Sequence, residues 1–229
     1  GLVRNKGYYQ GMDLGEIWGY EANDLFLTNQ EVDEYLKGVD MSFFKPNKDW
    51  QRGDLKYIDS NGDGKIDPGS GTLKDHGDLK IIGNTTPRYS FGLNLHAGYK
   101  GFEVSALFQG VMKRDFPMAA STYLFSGDSN FFKEHLDYYN VYNPGAYLPR
   151  LTKPDSPEYN ANVGYNTSRY LLNAAYMRLK NLMVSYNFQP KLVKKMGLEN
   201  LKVYFTCDNL FTIDNLPDVF DPETLNQVN

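Results

Sequence analysis

The chain has 229 residues, a formal net charge of −4 and a pI near 5.4, which gives no basic footprint for nucleic acid. Aromatic residues reach 15%, with 18 Tyr and 14 Phe, yet mean hydropathy is −0.54, a balance that suits strands with one apolar and one wet face. The single cysteine, Cys207, excludes an internal disulfide and a zinc-binding CxxC pair, and no run of about eighteen apolar residues supplies a transmembrane helix.

Gly1 to Lys6 show no signal-peptide pattern, so the chain is expected to be either a mature or internal segment or a piece cut from something longer, the latter preferred. Ile17-Trp18-Gly19-Tyr20 reads as a strand end, and Glu31, Val32, Tyr35 and Leu36 stand at helical spacing, predicting a short helix over residues 30–37.

Next comes Asp59-Ser60-Asn61-Gly62-Asp63-Gly64-Lys65-Ile66-Asp67. Oxygen ligands at positions one, three and five, glycine at six and an aliphatic residue at eight match the first part of an EF-hand loop. Ca²⁺ takes six to eight hard oxygens, alternate residues can converge on one point, and glycine permits the bend. Asp59, Asn61 and Asp63 would bind through side chains, Lys65 through its carbonyl, and Asp67 directly or through a water. Position twelve is Ser70, which has no bidentate carboxylate. Either the site is weak or a later acid, Asp75 or Asp78, completes it; Asp78 is preferred, making residues 59–78 the calcium-binding-like loop. The plain alternative is a turn-forming run with no ion. No helical pattern flanks it, so the ion would be structural.

Residues 88–99 alternate strictly: Tyr89, Phe91, Leu93, Leu95, Ala97 and Tyr99 against Arg88, Ser90, Gly92, Asn94, His96 and Gly98. Twelve such residues exceed the five or six of a soluble strand and suit the nine to eleven of a membrane strand. Lys100-Gly101 reads as a tight turn, after which Phe102, Val104, Ala106 and Phe108 face away from Glu103, Ser105 and Gln109. Residues 88–111 are thus a predicted transmembrane hairpin.

Residues 113–169, rich in Asp, Asn, Pro, Ser and Tyr, read as a long extracellular loop with a short helix near 130–140. Its aromatics (Tyr123, Phe125, Tyr138, Tyr139, Tyr142 and Tyr147) could stack on sugar rings or pack the loop against itself. A second hairpin spans 175–211, with strands over 175–188 and 201–211 and a turn bracketed by Pro190 and Gly197. In its first strand Met177 and Leu179 are out of phase with Leu182, as a bulge or emergence above the lipid would cause. In its second, Leu201, Val203, Phe205 and Cys207 oppose Lys202, Tyr204, Thr206 and Asp208. The tail to Asn229 reads as another loop. His76, His96 and His135 lack ligand spacing, and no nucleophile motif occurs. Arg88, Asn94, Glu103 and Asp208 would line a lumen, tuning a pore or keeping it wet.

Several phrases together resemble the late barrel region of SusC/RagA-type TonB-dependent transporters. They are Gly53-Asp54-Leu55-Lys56-Tyr57 running into residues 59–67, then Ile81-Ile82-Gly83-Asn84-Thr85-Thr86-Pro87-Arg88-Tyr89. Tyr176-Met177-Arg178-Leu179-Lys180-Asn181-Leu182, Asp208-Asn209-Leu210-Phe211 and Asp221-Pro222-Glu223 complete them. The resemblance covers nearly the whole chain. It implies an all-β fold, the C-terminal part of a 22-stranded outer-membrane barrel with long extracellular loops, closed by a plug and energised by TonB. It also implies a SusD-like surface lipoprotein, import of oligosaccharides or peptides, and the outer membrane of Bacteroidetes. The family's calcium pattern carries over to Asp59, Asn61, Asp63, Lys65 and Asp67, with the insertion 68–77 before the last ligand. Plug, TonB box and a terminal aromatic-ended strand are not in the sequence. Four or five strands cannot close a barrel, so the segment is expected to exist with the rest of one. The competing expectation is a soluble calcium-stabilised glycan-binding β-protein, and an enzyme is not expected.

Overall fold

The computed structural model describes residues 8–118, 132–153 and 156–225. Four short strands come first: β1 (Glu16–Gly19), β2 (Ala22–Leu25), β3 (Leu55–Tyr57) and β4 (Lys80–Asn84), with helix α1 (Asn29–Tyr35) between β2 and β3. β1 pairs antiparallel with β4, and β2 with β3. The helix begins at Thr28, whose hydroxyl accepts from Glu31 N, while the Glu31 carboxylate reaches back to Leu27 N.

Two long strands follow, β5 (Ser90–Tyr99) and β6 (Phe102–Val111), joined by Lys100-Gly101 alone. Both turn residues have positive φ, 47° and 91°, the type I′ backbone whose twist matches the flanking strands. A Cβ on Gly101 would stand 2.7 Å from the Asn187 carbonyl oxygen, so space as well as φ demands glycine there.

The stretch predicted as a long loop carries β7 (Asp115–Pro117), β8 (Tyr138–Tyr139), β9 (Leu148–Arg150) and α2 (Pro157–Val163), and β10 (Leu171–Asn173) follows it. The helix expected over 130–140 is, in its described part, one 3₁₀ turn (Lys133–Leu136) running into β8. Long strands then resume as β11 (Tyr176–Asn187) and β12 (Lys202–Asp214), linked through helix α3 (Pro190–Lys195). Pro190 therefore starts a helix where a simple turn was expected, because its fixed φ suits the first helical position, and Gly197 (φ 75°) ends the excursion.

β5, β6, β11 and β12 form one antiparallel sheet in the order β12-β11-β6-β5. Its strands have 10 to 13 residues, spanning about 35–45 Å at the usual rise. Register stacks the apolar residues in rows: Tyr99–Phe102–Tyr186–Val203, Ala97–Val104–Val184–Phe205, Leu95–Ala106–Leu182–Cys207 and Leu93–Phe108–Leu179–Phe211. Between the last two rows β6 advances two residues, β11 three and β12 four. Lys180 is the extra residue on β11, so the phase slip between Leu179 and Leu182 is a bulge that returns both to one face. On β12 the irregularity includes Asn209 at φ 51°, a conformation asparagine tolerates better than most residues.

The main hydrophobic core lies outside this sheet. It joins Tyr20, Phe26, Met41, Phe44, Trp50 and Tyr57 from the first stretch to Tyr139, Leu148, Ala161 and Tyr170 from the second. Phe44 stacks on Tyr57 with centroids 4.2 Å apart, and Tyr20 meets both rings edge-on. The described part of 132–170 is thus half of a packed body rather than a bare loop, because Tyr139, Tyr159 and Tyr170 are buried by partners far away in the chain.

Candidate functional site

The run 59–67 folds as successive tight turns. The Asp59 carboxylate accepts from Gly62 N (2.7 Å) and Gly64 N (2.9 Å), Asn61 Oδ1 from Asp63 N (3.0 Å), and Asp63 Oδ1 from Lys65 N (2.8 Å). Gly62 and Gly64 stand at φ 79° and 80°, which lets the chain fold back after each acid. Lys65 and its neighbour are anchored by an isolated bridge to Asp40, Ile66 N donating to Asp40 O. Asp67 turns to Gly69 N, and Asp75 is engaged by Ser70 N.

Of the two late acids, Asp78 is the one that returns. It is buried, with Oδ1 accepting from Ser60 N (2.6 Å) and Oδ2 from Asp67 N (3.0 Å), closing the two ends of the run on one carboxylate. Burial raises its pKa above the ordinary carboxylate value, against the backbone donors, which lower it. The insertion that separates Asp78 from the run is pinned by its own contacts, Thr72 N donating to Asp75 O and Asp75 N to Thr72 O, and it packs so closely that a Cβ added at Gly77 would stand 2.2 Å from Asp67 O. Among the described residues no three His, Cys, Asp or Glu side chains gather closely enough to hold a metal, since the acids of the run face backbone N–H groups.

Sequence reasoning missed a second polar centre. Asp54 is fully buried, with Lys45 Nζ at 2.6 Å, Arg150 Nε at 2.6 Å, Asn162 Nδ2 at 2.9 Å and Gln51 N at 2.9 Å. Burial pulls the Lys45 pKa down while Asp54 draws it back up, and the Lys45 ammonium lies 4.3 Å over the Trp50 ring. Neighbouring residues dock on the same distant segment: Gly53 packs against the Tyr139 ring, Leu55 N donates to Asn162 Oδ1, and Tyr57 OH donates to Ala161 O. The only prior signal was the Gly-Asp-Leu-Lys-Tyr phrase, which gives no hint of Arg150 or Asn162.

The polar face of the sheet is hydrogen-bonded across strands. Glu103 takes Lys202 at 2.7 Å, and Asn181 Nδ2 reaches Asp208 and Thr206. His96 is exposed in the row with Ser105, Met183 and Thr206, and Arg88, at the strand entrance, pairs with Asp13. Asn94 shares a row with Leu107, Asn181 and Asp208. The opposite face is bare: Leu93, Leu95, Tyr99, Phe102, Val203 and Phe205 are all exposed, Phe205 at 67%. Among the loop aromatics, Tyr139 is buried and bonds Leu27 O, Tyr147 bonds Arg169 O, and Tyr142 stands free at 95% exposure. Tyr123 and Phe125 lie outside the described residues. His135 is buried with Nδ1 accepting from Phe132 N, and His76 lies against Trp18.

No protein-family model matches the chain. Among curated proteins it is 28% identical over 216 residues to TonB-dependent receptor P3 of Formosa agariphila, covering 93% of this chain and 19% of that protein. TonB-dependent receptor P39 of the same organism is 28% identical over 222 residues, covering 92% and 20%. Both are named TonB-dependent receptors, and the chain is similar to them over nearly its whole length. Its fold is similar to part of the RagAB peptide importer in the open-open state, at TM-score 0.55 and 18% identity over 91% of this chain and 20% of that one. The chain spans about a fifth of the length of the curated relatives it matches. The curated relatives are named as receptors and the solved neighbour as a peptide importer.

Proposed function

We propose that this segment forms four adjacent wall strands, with their loops, of an outer-membrane TonB-dependent importer. The observation that carries the reading is the sheet itself. Four strands of 10 to 13 residues keep one face apolar through every row, two bulges included, and leave it uncovered. A soluble sheet of that size would expose several hundred square ångströms of contiguous apolar surface, which monomeric soluble proteins rarely do. In lipid the same face is in its proper solvent, and the hydrogen-bonded opposite face belongs to water. The two-residue turn at Lys100-Gly101 and the packed body at the other end fit a wall with short periplasmic turns and long outer loops.

The sheet has open edges at β5 and β12, so in a membrane both need neighbours; the remainder of a 22-stranded barrel would supply them. By analogy with the peptide importer and the Formosa receptors, the whole protein would sit in the outer membrane of a member of the Bacteroidetes. It would take up oligosaccharides or peptides, be driven by TonB and work with a SusD-like lipoprotein. The soluble glycan-binding alternative has the uncovered face against it. Detergent extraction of membranes carrying the full-length protein tests the reading, with mass spectrometry of what co-purifies. A heat-modifiable outer-membrane barrel with a lipoprotein partner supports it, and recovery in the aqueous fraction refutes it.

We further propose Ca²⁺ as a structural ligand of the 59–78 loop, held by Asp59, Asn61, Asp63, Asp67 and Asp78 with the Lys65 carbonyl. Support comes from the donor set and from Asp78 closing on Ser60 and Asp67. Binding would turn acids that now face N–H groups towards the ion. Calorimetry with calcium and EGTA decides it, absence of heat at millimolar calcium being the contrary result.

A further inference from the structure

β12 does not simply run out of the sheet. At Asp214, whose carboxylate accepts from Leu216 N, the chain turns back, and Asp221 and Glu223 come to Arg178 and Lys180 near the start of β11. Arg178 meets them there. It sits in the row with Gln109 and Thr212, on the polar face, and is itself buried. Its Nε donates to Thr212 Oγ1 at 2.6 Å, Nη1 to Glu223 Oε2 at 2.8 Å and Nη2 to Asp221 Oδ1 at 2.9 Å. Lys180, the bulge residue, adds a second cation on Glu223 at 2.9 Å. Asp221 Oδ1 also accepts from Glu223 N, which fixes both acids in one tight turn.

The rest of the segment is tied down separately. Leu216 and Leu225 bury against Ala174, Phe220 meets Phe116 edge-on at 5.6 Å, and Arg114 Nη2 holds Leu225 O at 2.7 Å. The apolar contacts are few: Leu216 and Leu225 in a small cluster, with Phe220 partly buried between that cluster and the edge of the main core. A guanidinium fork shared by two carboxylates is a strong and directional contact, and stranding it without partners is costly. The charged contact therefore decides whether the segment stays down.

We infer that residues 215–225 are a strap latched onto the polar face by Arg178 and Lys180, and that releasing the latch opens the path along that face. The first half rests on this geometry alone. The second half rests on the proposed barrel, in which the polar face is the inner wall and the strap stands in the mouth.

The test uses the full-length transporter in lipid, read two ways: amide exchange in 215–225 and single-channel conductance in planar bilayers. Arg178→Met should raise exchange of the strap about tenfold or more, the loss expected for hydrogen bonds to charged groups, and should raise conductance. Arg178→Lys should fall between, because an ammonium cannot fork to both acids. Glu223→Gln, a milder change, covers the case in which β11 and β12 also lose protection in Arg178→Met; it should loosen the strap while the strands stay protected. Unchanged exchange in Glu223→Gln and Arg178→Met overturns the latch. A loosened strap with unchanged conductance overturns the role in access while leaving the latch standing. Failure of the protein to enter the membrane refutes the barrel, and strap exchange then still reads the latch.

Discussion

The loop body and the wall solve the burial problem in opposite ways. In the body, aromatic residues from two stretches about a hundred positions apart close on one another, so Phe44, Tyr57, Leu148 and Tyr170 are buried without any long strand or helix. In the wall, long regular strands align equally apolar residues and leave them uncovered, Phe205 and Leu95 among them. The body carries its own solvent-excluding partner; the wall requires one from outside. A single chain thus shows that burial in the fold and hydrophobicity in sequence are separate facts, and the proposed barrel gives the mismatch a solvent.

Four perturbations sharpen this contrast, each made in the full-length protein. The largest is expected at Asp54. Asp54→Ala leaves Lys45 and Arg150 without their shared carboxylate, and breaking a buried ion pair from one side costs about 3–5 kcal/mol. The loop body should unfold at markedly lower denaturant, followed by Trp50 fluorescence, while exchange protection of β6 and β11 holds. Nearly as large is Phe44→Ala, at about 3–4 kcal/mol from a filled aromatic core. Phe205→Ala, the same truncation on the wall, should change stability of the loop body not at all; equal losses at both sites would erase the distinction.

A charge on the wall comes next. Val184→Lys places an ammonium in the Ala97–Val104–Phe205 row and should cost about 2–4 kcal/mol of barrel stability in bilayers, whereas Ser105→Lys on the other face should be nearly neutral. Urea-driven unfolding from vesicles measures both. The smallest effect is calcium. At free calcium tenfold above its dissociation constant the loop body should gain about 1–2 kcal/mol, read as a rise in melting temperature that EGTA reverses. Asp78→Asn should abolish that response.

The wall was legible in the sequence because period-two alternation is a local signal. The two faces follow from Tyr89 to Tyr99 and from Val203 to Cys207 without knowing any partner, and of the two readings of the phase slip at Leu179, a bulge or emergence above the lipid, the register shows the bulge. The extension of β12 to Asp214 was less visible, since Asn209 breaks the pattern before it resumes. The loop body left no such trace. Its organiser, Asp54, meets Arg150 and Asn162 only in the fold, and Tyr139 counts as a loop aromatic until Gly53 is found beneath its ring. The 59–67 run lay between these extremes. Ligand spacing marks the turns, but where the late acids go is visible only in three dimensions: Ser70 N engages Asp75, and the ends of the run close on Asp78. Arg178 was quoted within a familiar phrase, yet its partners Asp221 and Glu223 become visible only when the chain doubles back.

The measurement that bears most directly on the account is a cysteine scan along β5 and β11 of the full-length protein in liposomes, with Cys207 replaced by serine. Each position carries a fluorophore and is exposed in turn to brominated lipid and to a water-soluble quencher. Labels at positions 93, 95, 182 and 184 should be quenched from the lipid, and labels at 94, 96, 181 and 183 from water, reversing with every residue and breaking step only at Lys180. Uniform aqueous quenching at both sets, or no alternation, would contradict a wall that faces lipid.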